Sequence, residues 1–159
     1  MNDSVKNEVF TDLLREFAQR LGVDFSMSDD EQLSIEFEDD VFAAISHRAE
    51  REQIVVEACT PLPPTLTDDQ ALRIANLLLL TNSQLMQAHS ISIAFDTAGR
   101  ILLLSVFPQR HVDAMQLADT FEEVVEQARW IRSVCDQLVA ADAGNTSDSS
   151  QSNSSVILG

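Results

Sequence analysis

Residues 67–86 read TDDQALRIANLLLLTNSQLM, and this stretch decides the fold. Thr67-Asp68-Asp69-Gln70 is a capping-box sequence, with the Thr67 hydroxyl placed to accept from the amide three residues on and the Gln70 side chain placed to reach back. The spacing predicts a helix to about Met86. Leu72, Ile74, Leu77, Leu78, Leu79, Leu80 and Leu85 cover most of its circumference. A helix that is apolar all round has to be covered all round. In a chain of 159 residues one face meets a sheet and the other needs a second cover. A self-association seam supplies it, and two-fold dimers are the commonest form. The expected dimer contacts are Leu77, Leu80 and Leu85, joined by Ile91 and Ile93 just beyond the helix.

On the N-terminal side, Pro61, Pro63 and Pro64 stop a preceding sheet, because proline offers no ladder donor. Three strands are expected there. Leu33, Ile35 and Phe37 alternate with Ser34, Glu36 and Glu38, the period of a strand with one dry side. After the turn signal Asp39-Asp40, Val41 to His47 and Gln53 to Cys59 continue as an antiparallel meander across the charged turn 48–52. Before them, residues 5–21 form an amphipathic helix in which Val9, Phe10, Leu13, Leu14, Phe17 and Leu21 recur every three or four positions. Asp3 or Ser4 caps its start and Gly22 ends it.

On the C-terminal side, Ser90–Phe95 and Arg100–Phe107 form a hairpin around Asp96-Thr97-Ala98-Gly99. The second strand is apolar at Ile101, Leu102, Leu103, Leu104 and Val106, the pattern of a strand covered on both faces. A long helix over 113–140 carries an apolar stripe from Ala114 to Leu138, with Trp130 packed at its edge. The fold class is therefore α+β, in the order α-β-β-β-α-β-β-α. Residues 1–140 make one domain. From Ala141 the composition turns to Ser, Asn, Asp and Gly, so 141–159 is expected to be a flexible tail.

With 10 Lys+Arg against 26 Asp+Glu, the formal net charge is −16. That sign excludes the usual nucleic-acid binder, which needs a basic face, and disfavours docking on anionic lipid. No apolar run is long enough to span a membrane. The polar N-terminus lacks a signal-peptide core, and Cys59 and Cys135 read as buried reduced thiols. A cytoplasmic protein is expected.

Chemistry-bearing motifs are scarce. There is no phosphate-cradling glycine loop and no C-x-x-C or H-E-x-x-H, and His47, His89 and His111 lie in separate segments that read as surface or turn. Ser46 and His47 are strand neighbours, whose side chains point to opposite faces. Asp29, Asp30, Glu31, Glu36, Glu38, Asp39 and Asp40 lack the spacing of a calcium loop and read as a solvated acidic face. No enzyme, metal or cofactor is expected. The surplus apolar surface points instead to a binding module. Its groove candidates are Phe10, Leu14, Phe17, Leu33, Ile35, Phe37 and Phe42, beside a strand edge that can accept an added strand.

The chain resembles the class I type III secretion chaperones, the Tir-chaperone or CesT-like family. Leu13-Leu14-x-x-Phe17-Ala18-x-x-Leu21-Gly22 is similar to the family's start, and Leu78-Leu79-Leu80-Thr81-Asn82 to its Leu-rich helix ending in Asn. The run from Ile93 to Leu103 resembles its L-x-x-D-x-x-G-x-x-x-L hairpin, and Leu117, Phe121, Ala128 and Trp130 its closing helix. The likeness covers residues 5–140. The first strand turn departs from the family by lacking a nearby glycine, and the tail is longer. The resemblance implies a secretion-chaperone-like fold with a twisted antiparallel sheet. It also implies a homodimer in the bacterial cytoplasm that binds the N-terminal segments of effectors and passes them to a secretion ATPase. A regulatory or housekeeping binding module of the same fold, unconnected with secretion, is the other reading.

Overall fold

The computed structural model describes residues 3–23 and 32–148. The early part of the acidic cluster, Asp29 to Glu31, and the apolar tip 156–158 lie outside them. The alternating segments form β1 (Gln32–Glu36), β2 (Phe42–Arg48) and β3 (Gln53–Thr60), and the later pair β4 (Ile91–Phe95) and β5 (Ile101–Pro108). All pairings are antiparallel, in the order β1-β2-β3-β5-β4. The first three strands are the expected meander. The chain then crosses through α2 (Asp68–His89) to the far edge, and β5 folds back between β4 and β3.

The register puts Leu33 opposite Ile45, Val56 opposite Ser105, and Leu103 opposite both Ala58 and Ile93, so one sheet face collects the apolar side chains. α1 (Asp3–Leu21) and α3 (Ala114–Asp148) cover that face, α3 lying against β3 and β5 and α1 against α3. Phe17 meets Phe121 edge to face at 5.2 Å between centroids, and Phe10 stacks on a half-buried His47 at 4.9 Å. His47 is therefore part of the packing and not a surface group.

Local signals explain most element ends. The capping box forms in full: Thr67 Oγ1 accepts from the Gln70 amide at 3.3 Å, and Gln70 Oε1 accepts from the Thr67 amide at 3.0 Å. α1 stops at Gly22 with φ +65°, and the hairpin turn uses Gly99 at φ +77°. Ser4 lies inside α1 and not at its cap.

Two expectations change. α3 runs on to Asp148, past the boundary expected at residue 140, while 149–159 lie outside the described residues. β5 is sealed on one face only: Ile101, Leu103 and Ser105 are buried, Leu102 and Leu104 are half-buried, and Val106 is exposed. Its second apolar face, Leu102, Leu104 and Val106, is left partly open among the described residues.

The outer edge of β4 is guarded by α2, whose Asn82 Oδ1 accepts from the Ile93 amide at 2.7 Å. A strand edge is a template for unwanted pairing, and a side chain bonded along it blunts it. β1, at the opposite end of the sheet order, has a strand neighbour on one side only among the described residues.

Cys59 and Cys135 are free and buried. Loss of solvation raises both thiol pKa values, that of Cys135 to about 11 with a small push from Asp136. A thiol is reactive as the thiolate. In a titration with an aromatic disulfide reagent at mildly alkaline pH, Cys135 is expected to stay unreactive in the folded protein and to react in guanidinium. Fast reaction of both thiols in the folded protein would contradict the burial of Cys135.

Candidate client-binding site

The β1–β2 turn begins the site. Phe37 donates its amide to the Val41 carbonyl at 2.9 Å and its carbonyl accepts from Asp40 at 3.2 Å, while Asp40 takes φ +55°. Aspartate tolerates that left-handed conformation better than most residues, so no glycine is needed. The turn is then clasped to α3. Arg129 Nε donates to Asp39 Oδ2 at 2.6 Å, and its guanidinium carbon sits 4.7 Å from the centre of the Phe37 ring. Arg132 donates to the Asp39 carbonyl at 2.6 Å and to Asp40 Oδ2 at 3.2 Å. The hydrogen bond from Arg129 holds the Asp39 carboxyl below its usual 3.8, against a smaller opposing effect of burial. Exposed ion pairs are individually weak, but here several bonds and a cation–π contact act on one turn.

Two hollows flank β1. On the core side, Leu21, Val23, Ile35, Phe37, Phe121 and Val125 line a groove of about 350 Å³, with Glu122, Glu126 and Arg129 at its rim. On the other sheet face, Phe42, Ala44, Cys59 and Leu102 line a depression of about 380 Å³ together with Ser34, Glu36, Glu57 and Arg100. A free strand edge between two concave surfaces is the arrangement in which an extended segment adds backbone bonds and places alternate side chains on both sides.

The seven groove candidates divide into three places. Phe10, Leu14, Phe17 and Leu33 are at most 2% exposed and belong to the core, which corrects their assignment to a groove. They sit on the side of α1 and β1 that packs inward, so they offer nothing to a partner while α1 is in place. Ile35 and Phe37 line the core-side groove, and Phe42 lies on the outer face at 38% exposure. Val23, Phe121 and Val125 were missed because the first ends the polar loop boundary and the others sit in α3's ordinary apolar stripe. The clasp was missed as well.

The expected dimer residues also separate. Leu80 is 70% exposed and Leu77 and Ile93 are half-buried, whereas Leu85 and Ile91 face the interior, a correction to their place in a seam. α2 buries Ile74, Leu78, Thr81 and Leu85 against its own subunit. Its open face carries Leu72, Leu79, Leu80 and Met86 instead. Three of these, Leu72, Leu79 and Met86, recur every seven residues, a spacing already visible in the sequence. Trp130 is exposed, not packed, beside a hollow lined by Gln84, Ala88 and His89, and His89 pairs with Glu123 across α2 and α3. Among the described residues no cluster of three or more His, Cys, Asp or Glu side chains is placed to hold a metal, and no helix is long and apolar enough to cross a membrane.

The sequence matches the family model of the Tir chaperone protein (CesT) family over residues 12–132. A search of curated proteins finds no match. Solved structures share the fold. One is the chaperone–effector complex HopA1–SchA, with a TM-score of 0.68 at 14% identity, covering 84% of this chain and 98% of that one. Another is the ExsC–ExsE complex, at 0.64 and 20% identity over 79% and 92%. A third is the Yersinia pestis type III secretion chaperone SycH in complex with a stable fragment of YscM2, at 0.56 and 17% over 77% and 98%.

Proposed function

Because the chain belongs to the Tir chaperone protein (CesT) family, we propose that it is a type III secretion chaperone of the bacterial cytoplasm. It binds the N-terminal region of one or more effectors, keeps that region secretion-competent, and assists its delivery to the export apparatus, where a separate ATPase receives the complex. The protein works as a homodimer joined through the open face of α2, and it acts by binding alone. The observation that carries this reading is the β1 edge, which ends the sheet among the described residues and lies between two hollows. Solved proteins of the same fold were captured as chaperone–effector complexes, which supports it.

The physical logic is that an unfolded leader has open backbone groups and alternating apolar side chains. Pairing with β1 satisfies the first and the two hollows receive the second. The net charge of −16 favours basic leaders and speeds their encounter.

Ile35→Asp places a carboxylate in the core-side groove at a half-buried position. The variant is expected to fold and to lose at least about tenfold in client affinity, about 1.4 kcal/mol. Capture from a secreting cell followed by mass spectrometry should recover secreted effectors with the parent protein and not with the variant. N-terminal fragments of those effectors should bind directly by titration calorimetry. Recovery of ribosomal and chaperonin background alone, or equal capture by both proteins, would count against the proposal.

A further inference from the structure

Resting on the client-groove reading above, we propose that Glu122 and Glu126 select clients in which a lysine or arginine flanks the apolar anchor. The two residues stand one helical turn apart on α3, both exposed, at the rim of the groove formed by Leu21, Val23, Ile35, Phe37, Phe121 and Val125. A rim of this kind would ordinarily be neutralised by Arg129, about one turn beyond Glu126 on the same helix. That guanidinium is turned to Asp39 at 2.6 Å and to the Phe37 ring at 4.7 Å. Arg132 is likewise committed to the β1–β2 turn and to Asp136. Among the described residues neither Glu122 nor Glu126 has an ion-pair partner.

The clasp therefore does two things at once. It fixes Phe37 as a wall of the groove, and it pairs the rim's own cation, Arg129, with Asp39 and not with the glutamates. What remains is an apolar floor beside two unneutralised carboxylates. The occupant that complements both is an extended, unfolded polypeptide segment whose apolar side chain enters the groove and whose neighbouring ammonium or guanidinium reaches the glutamates. The pairing adds to the apolar contact, while an acidic residue at the same client position meets two like charges. Arg129 is the positioning residue of this arrangement.

The test uses three fluorescein-labelled synthetic peptides of about twelve residues, a length sufficient to pair along one strand edge. They share a Thr/Ser background with a central Ile-Thr-Leu and differ only in flanking Lys, norleucine or Glu. Fluorescence anisotropy at low salt is expected to rank them Lys, norleucine, Glu, with roughly tenfold or more between the extremes. The Glu122→Gln/Glu126→Gln variant should erase that ranking while still binding the norleucine peptide. A control variant with the same change in net charge, Glu8→Gln/Glu16→Gln on the exposed side of α1, should keep it. Arg129→Lys should retain part of the ranking and Arg129→Ala should weaken all three peptides, because Phe37 loses its support.

An unchanged ranking in the Glu122/Glu126 variant, or loss of the ranking in the α1 control, would show that overall charge and not the rim selects, and would overturn the proposal. Binding that is abolished by Ile35→Asp but indifferent to the flanking charge would overturn it while leaving the groove standing. Failure of every peptide to bind, or binding untouched by Ile35→Asp, would remove the groove and this proposal together.

Discussion

Replacing Leu80 by Asp is expected to change the particle seen by light scattering from twice 17.6 kDa to 17.6 kDa. Leu80 is 70% exposed on its own subunit, as is Leu79, with Leu72 and Met86 at 62% and 52% beside them. Fully burying one such side chain stabilises by about 1.5–3 kcal/mol, and a two-fold contact buries each of them twice. A carboxylate in that contact would be stripped of water, which costs several kcal/mol per ion. The subunit itself should survive, because this face of α2 makes no contact with its core. Circular dichroism should therefore be unchanged while the mass halves. A variant still at the doubled mass would place the dimer elsewhere, and a parent protein at the single mass would dispose of the dimer.

The second large effect lies in the core. Phe17 is completely buried and meets Phe121 at 5.2 Å, joining α1 to α3. Phe17→Ala is expected to lower unfolding stability by about 3–5 kcal/mol, through lost transfer free energy and the cavity left behind. Against a typical total of about 5–15 kcal/mol that is a severe loss. Urea unfolding followed by Trp130 fluorescence measures it. The result also separates two roles that look alike in sequence: Phe17→Ala should act on stability, and Ile35→Asp on client binding. If Phe17→Ala left stability within about 1 kcal/mol, α1 would not be fastened as described.

What the sequence reveals here follows from the range of the interactions. The Thr67–Gln70 capping box, the turn at Gly99 and the alternation of Leu33 and Ile35 are local, so their signals sit within a few residues of each other. The order of elements could be read from them. Which side of an amphipathic helix faces inward is a tertiary matter. Phe10, Leu14 and Phe17 look the same whether they fill a core or line a groove, and they fill the core. α2 is the harder case, since leucines and an isoleucine cover most of its circumference. Ile74, Leu78 and Leu85 turned inward and Leu72, Leu79 and Leu80 outward, a choice made by the sheet and α3.

The clasp was beyond reach for the same reason. Arg129 and Asp39 are separated by 90 residues, and nothing near either one marks the other. The length of α3 was misjudged on different grounds. Past residue 140 the apolar stripe ends, which reads as the end of a helix. Yet the backbone continues to Asp148, through Gly144, Asn145 and Thr146, which the propensity ranking alone would not carry.

The amide of Ile93, stoppered by Asn82, has a meaning for copy number. Sheets with two bare flanks can zip onto one another without limit and grow into fibres. Here Asn82 occupies the Ile93 amide on one flank, so edge-to-edge pairing of sheets is left to β1, and two copies meeting β1 to β1 close on themselves.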